Sequence, residues 1–129
     1  MLNVLLVGLG GFFGCILRYL IGKAAEVFMP TFPLGTLIVN GVASFLAGML
    51  LAFATLGGLE KQVMLFSSVG FCGGLSTFSA FSVETLALLQ KNDIAAAGCN
   101  AGLNLCVSLA CVALGYYLVS MLLPAAQQG

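Results

Sequence analysis

Phe78 and Phe81 stand three residues apart, set among the hydroxyl side chains of Ser76, Thr77, Ser79 and Ser82. That spacing puts both rings on one face of a helix. An aromatic ring has a negative face and a positive edge. Ring edges turned inward would offer an anion partial positive charge without a full charge to trap it; the plainer alternative is that both rings pack against lipid or neighbouring helices. Asn100, Asn104 and Ser108 recur at i, i+4 and i+8, which aligns them as a polar track on one helix face. Asn40 stands about two turns into another apolar stretch. Left unpaired and buried, such an amide costs about 1–3 kcal/mol. It serves either as helix-to-helix glue or as a ligand for something polar that passes. Hydroxyl and amide donors with ring edges at membrane depth are the parts of an ion pathway.

Catalysis has little to stand on. The chain has no His, which removes the commonest general base and metal ligand. Its serines have no base beside them in sequence, its carboxylates are not paired, and no Gly-rich phosphate motif followed by Lys appears. Direct nucleotide-driven pumping is therefore not expected. Cys15, Cys72, Cys99, Cys106 and Cys111 lack CxxC spacing and sit in apolar context, so they read as small buried hydrophobes.

Composition gives the class. Of 129 residues, 61% are hydrophobic and 6% charged, with a mean hydropathy of +1.17. A soluble domain averages about 25% charged residues, so the chain reads as an integral membrane protein, with the lipid bilayer as its surroundings. Lys and Arg balance Asp and Glu exactly in number, and no basic patch exists to bind nucleic acid.

The elements that must position these side chains are four apolar segments, at about residues 3–23, 34–56, 63–89 and 94–123. Each is near or above the roughly 20 residues needed to span a bilayer. The expected fold is an all-α membrane protein, one four-helix unit over residues 1–129, with both termini on one side. The first segment lacks a basic leader and is followed by further spans, so it does not read as a cleaved signal peptide. It carries Gly10 and Gly14 as a GxxxG pair, where helices approach closely. Arg18, near its end, either snorkels to the interface or sets a fixed positive charge in a vestibule. Pro30 and Pro33 disfavour helix in a connector over residues 26–33. Gly98 and Gly102 form a second GxxxG pair beside the polar track, and Pro124 and the tail residues Gln127, Gln128 and Gly129 follow the fourth segment.

The third segment organises the rest. Residues 70–82 read GFCGGLSTFSAFS. Glycine costs about 1 kcal/mol in a helix interior, so Gly73 and Gly74, with hydroxyl residues just after them, predict a helix broken near the midplane between halves at 63–72 and 77–89. Backbone freed at that depth must be buried in protein, line a water-filled cavity or bind an ion. The alternative is a packing notch of small residues. Glu84, one turn further on, needs a partner or water if buried.

At these residues the chain resembles the Fluc (CrcB) family of fluoride channels. GLGGFFGCILRY in the first segment, FPLGTLIVN in the second and GFCGGLSTFSAFS in the third carry the likeness, which extends over all four spans. It implies a passive fluoride-selective channel of the bacterial cytoplasmic (inner) membrane that exports fluoride and relieves its toxicity. It implies two subunits assembled antiparallel, with two fluoride pathways along their interface. By position, Phe78 and Phe81 match the pore phenylalanines, Asn40 the second-segment asparagine and Ser108 a serine of the fourth-segment track. A structural Na⁺ at the dimer centre would rest on the backbone carbonyls of Gly73 and Ser76. The family often has Thr where this chain has Ser76, a change that leaves the carbonyl in place. Val112 stands where relatives could extend the polar track with a hydroxyl.

The residue pattern fits that picture. Four helices are few to enclose a polar path, so association is expected. Lys61 lies on the terminal side, Lys23 and Lys91 on the other, with Arg18 near the end of its span. So small a bias orients a protein poorly, which permits insertion both ways. A small proton-coupled multidrug exporter is the competing transport reading; it requires a membrane carboxylate, for which Glu84 is the sole candidate. A non-transporting membrane scaffold would explain the glycines but not the aligned Asn100, Asn104 and Ser108.

Overall fold

The computed structural model describes residues 1–123; Pro124 and the polar tail lie outside the described residues. Helix α1 is Leu2–Phe28, α2 is Leu34–Gly57, α3 is Lys61–Gln90 and α4 is Ile94–Leu122. All four are long and apolar enough to cross a membrane. This is an all-helical fold with each span at or beyond the bilayer thickness.

Helix α1 runs to Phe28 rather than stopping at Lys23. Nothing between these positions breaks a helix, and Lys23 pairs with Glu26 at 2.9 Å one turn along the same surface. The stop comes at Met29, whose dihedrals leave the helical region at φ −145° and ψ 78°, because Pro30 disfavours helix in the residue before it. The α2–α3 turn uses Gly58 in the left-handed region at φ 73°, which glycine adopts at no steric cost. Asp93 caps α4, its Oδ1 accepting from the Ala96 N–H at 3.0 Å.

Within α3 the backbone is α-helical over Lys61–Met64, π-helical over Leu65–Cys72 and α-helical again over Gly73–Leu75. Ser76 and Thr77 are extended, at φ −76°, ψ 155° and φ −154°, ψ 116°. Helix resumes over Phe78–Gln90. Gly73 and Gly74 are thus themselves helical, and the departure from helix falls on the hydroxyl pair that follows. Side-chain capture accounts for this. Thr77 N–H donates to Asn40 Oδ1 at 2.8 Å, and the Thr77 hydroxyl accepts from the Ala80 N–H at 3.2 Å.

The glycines make seams. A Cβ at Gly10 would run into the Phe66 carbonyl and one at Gly14 into the Phe71 carbonyl; from the other side, a Cβ at Gly74 would lie 2.6 Å from the Gly11 carbonyl. So α1 and the first half of α3 touch backbone to backbone. A second seam joins α2 to α4, with Gly48 against the Val112 carbonyl and Gly115 against the Phe45 carbonyl. Gly98 and Gly102 have nothing within 4 Å of an added Cβ. Among the described residues the second glycine pair therefore closes no contact. Between the seams, Val39, Ala43 and Leu75 form the core, with Ile21 and Phe71 packed on it.

The cysteines differ from expectation. Cys72 is buried, but Cys15, Cys99 and Cys106 are exposed, all as free thiols. In a membrane chain the outward face is apolar too, so an apolar context does not separate inside from outside.

Candidate functional site

The polar groups meet at one cavity of about 620 Å³ between α2, α3 and α4. Asn40 and Ser44 line it from α2, Ser76, Phe78 and Phe81 from α3, and Asn104, Ser108 and Val112 from α4. The two rings lie with centroids 5.3 Å apart and planes tilted by 50°, as their one-turn spacing requires. Phe78 is 80% exposed in the single chain, so this wall of the cavity is open on its outer side.

Asn40 fixes the extended pair from across the cavity. Its Oδ1 accepts from Thr77 N–H, and its Nδ2 donates to the Thr77 carbonyl at 3.3 Å and to Asn104 Oδ1 at 2.9 Å. Asn104 Nδ2 donates in turn to the carbonyl and the Oδ1 of Asn100, at 3.0 and 2.9 Å. Both hydrogens of each amide are thus engaged by protein acceptors. The Ser44 and Ser108 hydroxyls are not: neither has a hydrogen-bond partner among the described residues. These two hydroxyls face the cavity ready to donate.

Ser44 was not apparent from sequence as a site residue. Its signal was present, since it lies four residues after Asn40 and so on the same face of α2. The polar track also divides. Asn100 is fully buried and stands off the cavity, while Asn104 and Ser108 line it.

Arg18 does not line the cavity. Its Nη1 donates to the Ser76 carbonyl at 3.4 Å and its Nη2 contacts Cys15 Sγ at 3.5 Å. It reaches inward to α3 rather than snorkelling along its own helix. Gly73 also stands outside the cavity, on an open face with nothing within 4 Å of an added Cβ. Glu84 finds its partner in Thr36, whose hydroxyl donates to Oε1 at 2.6 Å; Oε2 is buried without a partner among the described residues. Glu84 belongs to a different cavity, of about 260 Å³, which also touches Glu26 and Lys91.

Residues 73 and 76 carry the carbonyls that could hold a cation. In a continuous helix the Gly73 carbonyl would accept from Thr77 N–H and the Ser76 carbonyl from Ala80 N–H. Those donors go instead to Asn40 and to the Thr77 hydroxyl, and the Ser76 carbonyl accepts from Arg18 Nη1 at 3.4 Å in their place, with its second lone pair left over. Among the described residues no three His, Cys, Asp or Glu side chains cluster, so backbone oxygens are the donor set on offer. Such hard, neutral oxygens suit an alkali cation.

Residues 5–116 match the model of the family described as CrcB-like protein, Camphor Resistance (CrcB). A protein of Methanococcus maripaludis named fluoride-specific ion channel FluC is 45% identical over 115 residues, covering 89% of this chain and 93% of the relative. A protein of the same name from Shewanella sp. W3-18-1 is 45% identical over 120 residues, covering 92% of this chain and 97% of the relative. Another, from Shewanella sp. ANA-3, is 44% identical over 118 residues, with 91% and 95% covered. These relatives are named as ion channels, not enzymes. At this identity over this coverage, the chain belongs to the CrcB-like family.

Proposed function

We propose that this chain is the subunit of a passive fluoride-selective channel that exports fluoride across the cytoplasmic membrane of a bacterium and so relieves its toxicity. The observation that carries this reading is the cavity itself, where a tilted Phe pair faces two uncommitted hydroxyls, Ser44 and Ser108. Fluoride is small and strongly hydrated, so a path must replace its water with donors at each step. A chain of strong donors would hold the ion, and conduction needs binding weak enough to release. Hydroxyls and ring edges on the walls of one cavity would meet both requirements. The name of these relatives supports fluoride as the ion.

The functional unit is an antiparallel homodimer of two oppositely inserted copies. Support comes from the open outer side of the cavity at Phe78 and from the near-even spread of Lys and Arg. A second copy laid over that side would complete each pathway. The extended pair at Ser76 and Thr77 then lies near the midplane as the interruption of a broken α3. There the Gly73 and Ser76 carbonyls of both copies would hold a structural Na⁺. Arg18 donates to the same Ser76 carbonyl, whose second lone pair would serve the ion, and its positive charge would draw anions towards the pathway. A proton-coupled exporter is disfavoured because Glu84 stands in a separate cavity from the rings. Fluoride efflux from reconstituted vesicles tests the reading. The channel needs neither ATP nor a proton gradient, and flux that appears only under an imposed proton gradient would make it a coupled carrier.

A further inference from the structure

Five hydrogen bonds, four of them part-buried, run in one direction from the cavity wall at Asn40 and Asn104 into the packing behind it. Thr77 N–H donates to Asn40 Oδ1 at 2.8 Å, and Asn40 Nδ2 to Asn104 Oδ1 at 2.9 Å. Asn104 Nδ2 donates to Asn100 Oδ1 at 2.9 Å, Asn100 Nδ2 to the Thr85 hydroxyl oxygen at 2.9 Å, and the Thr85 hydroxyl to the Phe81 carbonyl at 2.7 Å. The chain starts on the backbone just before Phe78 and ends on the backbone of Phe81. It therefore brackets the turn that carries both rings.

Backbone groups fix its direction at three points. The Thr77 N–H can only donate, so Asn40 must present oxygen to it. The Asn100 carbonyl can only accept, and Asn104 Nδ2 donates to it at 3.0 Å, so Asn104 presents oxygen to Asn40. The Phe81 carbonyl consumes the Thr85 hydrogen and leaves the Thr85 oxygen to accept from Asn100. An amide flip anywhere would set donor against donor and acceptor against acceptor. Each bond in such a chain polarises the next.

We infer that Thr85 and Asn100, neither of which lines the cavity, are positioning residues of the proposed pathway: they anchor a directed amide relay that clamps the turn carrying Phe78 and Phe81. The inference rests on the cavity being that pathway, but its structural half is measurable without any flux. Thr85→Val keeps the branched shape and removes the hydroxyl, leaving Asn100 Nδ2 without its acceptor. Because the relay is directed, the disturbance travels through Asn104 to Asn40, which Thr85 does not touch.

The test uses the full chain, with ¹⁵N-labelled asparagine, in detergent and in vesicles. In the parent protein the side-chain amides of Asn40, Asn100 and Asn104 are expected to resist hydrogen exchange. Thr85→Val should shift and deprotect all three and lower fluoride efflux about tenfold; Thr85→Ser, which keeps the hydroxyl, should restore both. Thr55→Val removes an equivalent back-bonded hydroxyl, at 2.9 Å from the Leu51 carbonyl, and should change neither. If Thr85→Val does not yield a dispersed spectrum, Thr85→Ala removes the same hydroxyl with less bulk and is read in the same way. A response confined to Asn100, or full efflux with the relay deprotected, would overturn the inference. Absence of fluoride efflux in the parent protein would instead overturn the channel reading, with the exchange data still deciding the relay.

Discussion

At the scale of single residues, the rings and the two free hydroxyls do different work and should fail differently. Ile in place of Phe78 or Phe81 keeps apolar bulk and removes the ring's positive edge. Fluoride efflux is expected to fall about tenfold or more for each change, with the size-exclusion elution volume of the parent protein unchanged. Phe53 lines a separate apolar cavity of about 270 Å³, so Phe53→Ile should leave efflux near that of the parent; near-parental efflux from the Phe78→Ile, Phe81→Ile double variant would reduce the rings to packing. Ser44→Ala and Ser108→Ala each remove a donor to a charged ion, a bond worth about 1.5–3 kcal/mol. Each should lower efflux about tenfold or more, with Ser44→Thr retaining it, and an unaffected Ser44→Ala would take Ser44 off the path. Sequence made the rings and Ser108 visible through their helical spacing. It could not show that Asn40 and Asn104 spend their hydrogens on protein acceptors. For Asn40 that depends on α2 meeting α3 at Thr77 and α4 at Asn104, which no local pattern encodes; for Asn104 the acceptor is Asn100, one turn back on its own helix.

Elements set these residues in place through the two glycine seams. The α1 seam holds the first half of α3, and Asn40 on α2 holds its extended pair, so the rings are fixed from two sides. Gly14→Val would drive a side chain into the Phe71 carbonyl, and backbone cannot step aside as a side-chain end can. Overpacking costs about 1–3 kcal/mol and more where backbone must move. Thermal melting of the detergent-solubilised protein should drop clearly for Gly14→Val and little for Gly102→Ala, whose added Cβ meets open space. Equal melting points would mean that the seam does not stabilise the fold. The four spans were legible because apolar length alone defines them. The role of the glycines was only half legible: Gly10 and Gly14 were placed correctly as a close approach, whereas Gly73 and Gly74 stay helical. Intrinsic propensity marks glycine as a helix breaker, but the close backbone contact of Gly74 with α1 outweighs that roughly 1 kcal/mol cost. Gly98 and Gly102 show the converse, a GxxxG spacing with no partner among the described residues.

For the whole molecule, one chain gives one open-sided cavity, and the account requires a second copy to close it. Epitope tags at the N-terminus should be accessible on about half of the copies in sealed right-side-out membranes and on the rest only after permeabilisation, if insertion is unbiased. Labelling from a single face would remove the antiparallel arrangement. Replacing Na⁺ on both sides by a larger organic cation should lower activity, through loss of the ion proposed at the Gly73 and Ser76 carbonyls; full activity without Na⁺ would leave those carbonyls without that role. Passive, selective fluoride movement is measured directly with a fluoride-selective electrode. Vesicles reconstituted with the parent protein and loaded with fluoride should release it in an ATP-free buffer with no proton gradient, while chloride-loaded vesicles retain their chloride. Equal release of both ions, or no fluoride release from vesicles that contain folded protein, would contradict the account.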